Sequence, residues 1–220
     1  MKYKLNQYEL VFLIPAYNES KNLKRILYNL RNFGSTIVVN DFSSDTTKNI
    51  AEKYSTLILS NNRNYGYNYS IIKGLKYLAK KTRYKYVITF DADGQHKFSE
   101  IAKFLSQRKK FDVINGSRNF FNRPSEKIIS EISYKRYGVK DPLSGMKLYN
   151  IPKLRKKIFA LNPLDNTFGM FFLNWGKDVK IFDLKIKVNK KNKISSMDLN
   201  NNIETQFLLS FQKIIKKKFT

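Results

Sequence analysis

The 220-residue sequence contains no cysteine and only one histidine, His96. The absence of cysteine excludes disulfide bonds, thiolate metal sites and a cysteine nucleophile. It is also consistent with a reducing compartment.

Long apolar runs are absent as well. No stretch reaches the roughly 18 apolar residues that a membrane-spanning helix requires, and residues 1–8 lack the continuous apolar segment of a signal peptide. Hydrophobic residues nevertheless make up 42% of the chain and aromatic residues 15%, which excludes a disordered chain. We therefore expect a folded cytoplasmic protein.

Acidic residues are scarce, because 17 Asp and Glu stand against 42 Lys and Arg, and the formal net charge is +25. Such a charge predicts attraction to anions, which include nucleic acid, an anionic membrane surface and a polyphosphate substrate. The sequence has no helix-turn-helix, aromatic RNA-binding strand or zinc pattern. Nucleic acid is therefore not the expected partner.

Two of the few acids follow an apolar run directly. Residues 86–90 predict a buried strand, and Asp91 and Asp93 come immediately after it. Ligands of open α/β sheets bind outside the carboxyl ends of the strands, where a hard divalent cation takes oxygen ligands and shares substrate phosphates. The pair therefore predicts a metal and diphosphate site. The structural alternative is that the two acids cap the helix that begins near Phe98.

Strand and helix patterns alternate through the first part of the chain. This alternation predicts an α/β fold with a mostly parallel sheet, helices on both faces and several strand ends on one rim. Pro15 is expected to end the first strand and Ser20 to cap the first helix. Strands are predicted at 9–15, 36–41, 56–59, 86–90 and 111–116, and helices at 21–32, before 54, at 69–80 and around 101–105.

The alternation breaks after Ser117, and no linker separates a second domain. We expect one domain over residues 1–220, with a nucleotide-binding half at about 9–118 and a partner-specific half at about 119–220. The predicted elements of the second half are helices at 125–137, 164–175 and 203–219, strands at 146–150 and 179–188, and a basic loop at 190–196.

Six short motifs lie at successive predicted strand ends. They are residues 15–19 (PAYNE), 40–45 (NDFSSD), Gly66 with 73–74 (KG), 91–96 (DADGQH), 116–118 (GSR) and 141–145 (DPLSG). In this order and spacing they resemble family 2 glycosyltransferases of the GT-A fold, and most of all the dolichyl- and polyprenyl-phosphate sugar transferases. The resemblance covers residues 9–150 well and the remainder weakly.

The resemblance implies how the sugar donor would be held. The residues that would bind the nucleotide are Pro15, Tyr17, Glu19, Asp41 and Asp91. Asp91, Asp93 and Gln95 would hold Mg²⁺ or Mn²⁺, which neutralises charge on the departing nucleoside diphosphate.

It also implies an acceptor site. Arg118 and Asp141 would be the catalytic residues, with Arg118 a phosphate clamp. Asp141 would act as base toward a hydroxyl acceptor or would position an ionised phosphate acceptor. The residues that would bind the acceptor or its phosphate are Arg118, Ser144, Lys147 and Lys190.

Each of these positions also has a structural interpretation. Tyr17 can pack as a loop aromatic, Asp41 can cap the following helix, and Arg118 can be a surface charge. His96 is more typical of a residue that lines its loop than of a base or metal ligand.

The sequence departs from the family pattern on the acceptor side. Lysine stands at 147 and again at 190, where the family commonly carries arginine, and Gly169 stands where glutamate is common. The segment between Arg118 and Asp141 is also shorter than in the lipid-phosphate transferases.

We therefore expect a metal-dependent inverting glycosyltransferase with a UDP- or GDP-linked sugar donor and a polyprenyl phosphate (dolichyl or undecaprenyl) as acceptor. A saccharide or lipid-linked glycan in cell-surface polysaccharide synthesis is the alternative acceptor, and a non-catalytic basic binding protein is the other class. The amphipathic stretch 203–219 predicts either peripheral contact with the inner face of a membrane or packing on the core.

Overall fold

The computed structural model describes residues 9–81, 84–189 and 202–216, and all structural statements refer to them. Within these ranges the strands form one seven-stranded sheet in the order β3-β2-β1-β4-β6-β5-β7. The strands are β1 (Leu10–Ala16), β2 (Ser35–Asn40), β3 (Leu57–Ser60), β4 (Tyr86–Thr89), β5 (Val113–Ser117), β6 (Lys147–Asn150) and β7 (Ile181–Lys185).

The sheet is parallel except at one strand. β1 pairs in parallel with β2 and β4, β2 with β3, and β5 with β7, whereas β6 runs antiparallel to both of its neighbours. The carboxyl ends of the other strands therefore meet the amino end of β6 at one rim. The predicted mostly parallel α/β sheet is confirmed.

Helices cover both faces of the sheet. Along β1, Val11 and Leu13 belong to one buried core, while Phe12 and Ile14 belong to the other, because successive side chains of a strand point to opposite faces. The helices are α1 (Ser20–Leu30), α2 (Thr47–Tyr54), α3 (Tyr67–Lys80), α4 (Ile101–Gln107), α5 (Pro124–Tyr137), α6 (Ile151–Ala160) and α7 (Ile203–Lys216), with 3₁₀ turns at Phe98–Glu100 and Met170–Asn174.

Two local predictions for the first strand and helix are wrong. Pro15 does not end β1, which continues to Ala16. Pairing with β4 ends at Leu13, so beyond that point β1 has a ladder partner on one side only and a missing amide hydrogen is tolerated. Ser20 makes no capping hydrogen bond, and its backbone amide instead donates to Asp45 at 3.3 Å.

The predicted helix at 164–175 is also wrong. Only Met170–Asn174 is helical, as a 3₁₀ turn, because Phe168 and Gly169 have φ angles of 46° and 78° that an α-helix cannot contain. The sequence prediction likewise missed α6, which has a proline in its first turn and buries Leu154 and Ile158 one turn apart.

The C-terminal helix α7 packs its apolar side on the core. Ile203, Phe207, Phe211 and Ile214 are buried, and the Phe207 ring meets Phe168 edge to face with centroids 4.8 Å apart. This face of α7 therefore packs on the core, which is one of the two alternatives that the sequence left open. Across the described ranges, no helix combines the length and the apolar character needed to cross a membrane.

Candidate active site

A cleft of about 670 Å³ opens at the rim where the strand ends meet. The loops that follow β1, β2, β4 and β5 form it, together with the first turns of α3, α5 and α7. The predicted site residues that line this cleft are Pro15, Tyr17, Glu19, Asp41, Asp91, Asp93, Gln95 and Arg118. Eight residues from four separate motifs are thus brought together.

Asp91 lies two residues beyond β4, at the centre of the cleft. His96 Nε2 donates to Asp91 Oδ2 at 3.1 Å, since a carboxylate oxygen can only accept. Within the described part of the chain, the buried Oδ1 atom of Asp91 accepts no hydrogen bond. Burial would raise the pKa of Asp91, but the charges of His96 and Lys147 outweigh it and lower that pKa below its usual value.

His96 holds the position of Asp91 from behind. Its side chain is buried and meets the Phe90 ring edge to face, with centroids 5.1 Å apart. It lines the loop, as the sequence suggested, and in addition it fixes one oxygen of Asp91. Both oxygens of Asp91 lie close to the backbone of Gly145, where an added Cβ atom would overlap the Asp91 carboxylate.

Asp93 occupies a tight turn after β4. Its Oδ1 atom accepts from the backbone amide of Gln95 at 3.0 Å, and Gly94 has a φ of 81° that closes the turn. No group of three or more His, Asp or Glu side chains in the described ranges could by itself hold a metal ion. Two carboxylates, one with the uncommitted Oδ1 of Asp91, would fit an Mg²⁺ or Mn²⁺ ion whose remaining ligands are phosphate oxygens and water.

Asp41 is committed to the loop that leads into α3. Its carboxylate accepts from the backbone amides of Tyr65 at 3.0 Å and Gly66 at 2.7 Å, and from Asn61 Nδ2 at 2.6 Å. It does not cap α2, because Asp45 accepts from the first amide of that helix at 2.9 Å. Asp41 lines the cleft, and its role toward the nucleotide stays a prediction.

Several tyrosines line the cleft. Tyr17 is 37% exposed, so it is not a packed loop aromatic, and Tyr65 stacks on Tyr69 with centroids 4.2 Å apart. Tyr67 is half-buried beside Asp91, and desolvation together with the Asp91 charge raises the pKa of its hydroxyl. The phenol of Tyr67 therefore stays protonated across the physiological pH range.

Arg118 and Asp141 form a two-pronged ion pair. Arg118 Nε donates to Asp141 Oδ2 at 2.6 Å and Nη2 donates to Oδ1 at 3.0 Å, while the Arg118 backbone amide also donates to Oδ2 at 3.0 Å. Glu126 lies 3.4 Å from Arg118 Nη2 and 3.3 Å from Arg123 Nη1. Burial would lower the pKa of Arg118, but Asp141 and Glu126 raise it instead. Arg118 is thus no free surface charge.

Lys147 and Ser144 lie behind the cleft lining. Lys147 is buried, its ammonium group donates to the Ser144 carbonyl, and burial lowers its pKa to about 8 although Asp141 and Asp91 act in the opposite direction. The Ser144 hydroxyl is buried and has no partner in the described ranges. Their predicted contact with the acceptor stays untested, and Lys190 lies outside the described residues.

The sequence interpretation missed the part of the cleft wall where Asn68 of α3 meets residues 165–169. Asn68 Nδ2 donates to the Asp165 carbonyl at 2.6 Å, and its Oδ1 accepts from Thr167 Oγ1 at 2.8 Å and from the Gly169 amide at 3.1 Å. Only the position of Asn68 in the first turn of a helix hinted at hydrogen bonding. Its partners are far along the chain and carry no motif.

Comparison with known proteins assigns the class. The family model described as "Glycosyl transferase family 2" matches residues 11–177 of this chain. Two uncharacterized proteins of Methanocaldococcus jannaschii are similar, one 32% identical over 55% of this chain and 57% of its own length, the other 29% identical over 98% and 95%. The UDP-N-acetylglucosamine–dolichyl-phosphate N-acetylglucosaminyltransferase of Methanococcus voltae is 29% identical over 67% of this chain and 72% of its own length.

Solved structures share the fold. Glucosyl-3-phosphoglycerate synthase from Mycobacterium tuberculosis, determined with Mn²⁺, uridine diphosphate and glucosyl-3-phosphoglycerate, superposes with a TM-score of 0.64 and 14% identity over 94% of this chain and 80% of that one. The fold is that of a GT-A glycosyltransferase. The chain belongs to glycosyl transferase family 2 and is a glycosyltransferase. The resemblance found in the sequence is confirmed.

Proposed function

We propose that this enzyme transfers a sugar, with inversion, from a UDP- or GDP-linked donor to a polyprenyl phosphate, and that it depends on Mg²⁺ or Mn²⁺. The observation that carries the proposal is that one cleft is lined by the Asp91 and Asp93 carboxylates and by Arg118, whose guanidinium is held by Asp141 behind the lining. The name of the Methanococcus voltae relative, which specifies a UDP donor and a dolichyl-phosphate acceptor, supports it. UDP-sugars are therefore the first donors to test.

The donor side of the cleft comprises the loops after β1, β2 and β4, with Asp41, Asp91 and Asp93. We assign the nucleoside to the loop of Pro15, Tyr17 and Glu19 and to the loop that Asp41 fixes, since apolar and aromatic walls with a few polar groups suit a base. Asp91 and Asp93, together with Gln95, would hold the metal ion. When bound, that ion supplies positive charge at the diphosphate.

The acceptor side comprises Arg118, Glu126, Asp141 and Lys147. An oxygen of the acceptor forms the new bond to the anomeric carbon while the bond to the nucleoside diphosphate breaks. A phosphate acceptor is already ionised and needs no base. This suits a site in which both Asp141 oxygens accept from Arg118, so Asp141 orients the guanidinium rather than removing a proton.

A saccharide hydroxyl is the alternative acceptor. It would have to lose a proton, and Asp141 could take it only after releasing Arg118. The ion pair therefore favours the phosphate acceptor. The glucosyl-3-phosphoglycerate synthase neighbour, whose product carries a phosphate, shows that the fold can act on an anionic acceptor.

We further propose that the enzyme works in the cytoplasm at the inner face of a membrane, as one unit with a donor half at about 9–118 and an acceptor half at about 119–220. The buried side of α7 is not available for lipid. Leu208 and Leu209, however, are 38% and 53% exposed, and Lys213 and Lys216 follow on the same helix. Exposed leucines beside lysines suit an anionic lipid surface.

The test begins with thermal-shift measurements against UDP-, GDP- and CDP-sugars, each with and without Mn²⁺. A donor that binds only the native state raises Tm, and we expect a rise that requires the metal ion. Transfer of a radiolabelled sugar to undecaprenyl phosphate is then measured against transfer to an oligosaccharide. Stabilisation without any transfer to the lipid phosphate would contradict the proposed acceptor, and no stabilisation by any nucleotide sugar would contradict the donor class.

A further inference from the structure

A buried polar network lies beneath the Arg118–Asp141 pair. Asn115 and Ser117 are two residues apart on β5 and so point to the same face of the sheet. Both are buried, with Asn115 fully enclosed. On the neighbouring strand β7, Asp183 stands directly opposite Asn115 in the parallel register. The three side chains therefore meet between two strands, outside the cleft.

Asp183 sets the hydrogen bonding of the other two. Its Oδ1 atom accepts from Ser117 Oγ at 2.6 Å and from Asn115 Nδ2 at 2.9 Å. A serine hydroxyl has one hydrogen, and here that hydrogen points at the carboxylate. The lone pairs of Ser117 Oγ are then left to accept from elsewhere.

One of these lone pairs accepts a hydrogen bond from the backbone amide of Asp141. The Asp141 amide donates to Ser117 Oγ at 3.1 Å, and the Asp141 carbonyl accepts from Asn115 Nδ2 at 3.1 Å. Both polar backbone groups of Asp141 are thus held by side chains that Asp183 orients. The Asp141 carboxylate in turn grips the guanidinium of Arg118.

We propose that Asp183 is a positioning residue for Arg118, acting through Ser117 and Asn115 on the backbone of Asp141. The inference rests on the proposed function, because it takes Arg118 to bind the acceptor phosphate. Asp183 itself does not line the cleft. Its effect must therefore reach the acceptor through the placement of Asp141.

The charge of Asp183 allows a positioning role to be distinguished from a direct electrostatic effect on anion binding. Removing a negative charge close to an anion site would by itself strengthen anion binding. Loss of a positioning residue would weaken it. Asp183→Asn therefore has opposite expected signs under the two explanations.

The experiment measures the dissociation constants of two probes, farnesyl phosphate and UDP with Mn²⁺, for the full chain and its variants. Asp183→Asn and Ser117→Ala should each weaken farnesyl phosphate binding about tenfold, a typical cost of losing an orienting partner, with UDP affinity unchanged. Ser117→Ala keeps a small residue in the strand and covers the case in which Asp183→Asn fails to fold.

Asp112→Asn is the matched control. Asp112 is a buried carboxylate between β5 and β7, whereas Asp183 is half-buried, and it lies at the opposite end of the strand pair, where it accepts from the Lys180 amide at 2.9 Å. This variant should lose stability as Asp183→Asn does and keep both affinities. If Asp112→Asn weakens farnesyl phosphate binding equally, the effect is general destabilisation and the inference is wrong.

A double-mutant cycle with Arg118→Gln completes the test. If Asp183 acts through Arg118, adding Asp183→Asn to Arg118→Gln should cause no further loss of farnesyl phosphate affinity. Additive losses, or wild-type affinity in Asp183→Asn, would overturn the positioning role alone. Unchanged affinity in Arg118→Gln, or no binding of farnesyl phosphate by a wild-type chain that binds UDP, would overturn the proposed acceptor site and the inference with it.

Discussion

The donor side and the acceptor side of the cleft handle charge in opposite ways. On the donor side, Asp91 keeps a buried oxygen that accepts no hydrogen bond within the described residues. On the acceptor side, Arg118 is held by Asp141 and Glu126. The donor side therefore has a carboxylate oxygen that can still accept a cation, whereas on the acceptor side the charge of Arg118 is already paired.

This difference separates function from stability. Removing a carboxylate whose ligand is absent costs the folded state little stability. Removing one partner of a buried ion pair costs more, because the other charge is left uncompensated. Substitutions on the donor side should therefore abolish activity with little loss of stability. Substitutions on the acceptor side should reduce both.

The largest effect is expected from Asp93→Asn. Asp93 is proposed to hold the metal ion, so its loss should lower kcat about 1,000-fold, as loss of transition-state charge stabilisation does elsewhere. The free energy of unfolding should change by less than about 1 kcal/mol, since Asp93 is not fully buried. Rates of sugar transfer and urea unfolding curves measure the two quantities.

Asp178→Asn is the control for this substitution, because its side chain is 71% exposed and lies outside the cleft. It should keep full activity. Metal-dependent transfer by Asp93→Asn at the wild-type rate would contradict the assignment of the metal to the donor side.

The second effect concerns the ion pair. Asp141→Asn leaves the Arg118 guanidinium with Glu126 alone, and the free energy of unfolding should fall by about 3 kcal/mol. Affinity for UDP with Mn²⁺ should stay the same. Chemical denaturation and calorimetric titration test the two statements.

The comparison for this variant is Glu52→Gln, which removes an exposed pair with Lys48 whose charged atoms are 3.8 Å apart. That change should cost less than about 0.5 kcal/mol. Equal costs for the two variants would mean that the acceptor-side pair is not effectively buried.

The third effect is a pH dependence that arises from Lys147. Its pKa is about 8 in the folded chain and near its ordinary value of 10.5 when unfolded, so between these pH values the unfolded state binds more protons. Stability from this group should therefore rise with pH, by about 1.5 kcal/mol between pH 8 and 9.5. Urea unfolding of the wild type and of Lys147→Met at both pH values isolates the effect, and parallel curves would contradict the lowered pKa.

The smallest effect is expected at the exposed leucines of α7. The double variant Leu208→Ser, Leu209→Ser should reduce co-sedimentation with phosphatidylglycerol vesicles about fivefold, because each leucine loses part of its apolar contact with lipid. Tyr28→Ser on α1, where the ring is 55% exposed, should not change it. Equal binding by all three proteins would show that α7 does not contact the membrane.

The sequence predicted the cleft-lining residues of the proposed donor side better than those of the proposed acceptor side, and the reason is distance along the chain. Asp91, Asp93 and Gln95 form one turn directly after a strand, so a single short motif describes them. Asp183, by contrast, meets its partners across two strands that are 66 or more residues apart in sequence. No local pattern in the strand Ile181–Lys185 indicates that contact.

The misplaced helix has a cause of the same kind. The helix predicted at 164–175 was supported by apolar spacing, but spacing does not reveal the positive φ angles at Phe168 and Gly169. The tight packing of Asn68 against this loop shows what the irregular backbone provides, which is amide and carbonyl groups directed toward α3. A tertiary contact has overridden the intrinsic helical preference of the segment.

The contact between Gly145 and Asp91 limits which sequences can carry this site. Hydrogen is the largest substituent that position 145 can hold while the carboxylate keeps its place, because even a methyl group would occupy the volume of the Asp91 oxygens. Saturation mutagenesis of that codon, selected for sugar transfer, should therefore recover glycine and no other residue. Such intolerance would show how little space separates Gly145, just before the antiparallel strand β6, from Asp91 in the turn after β4.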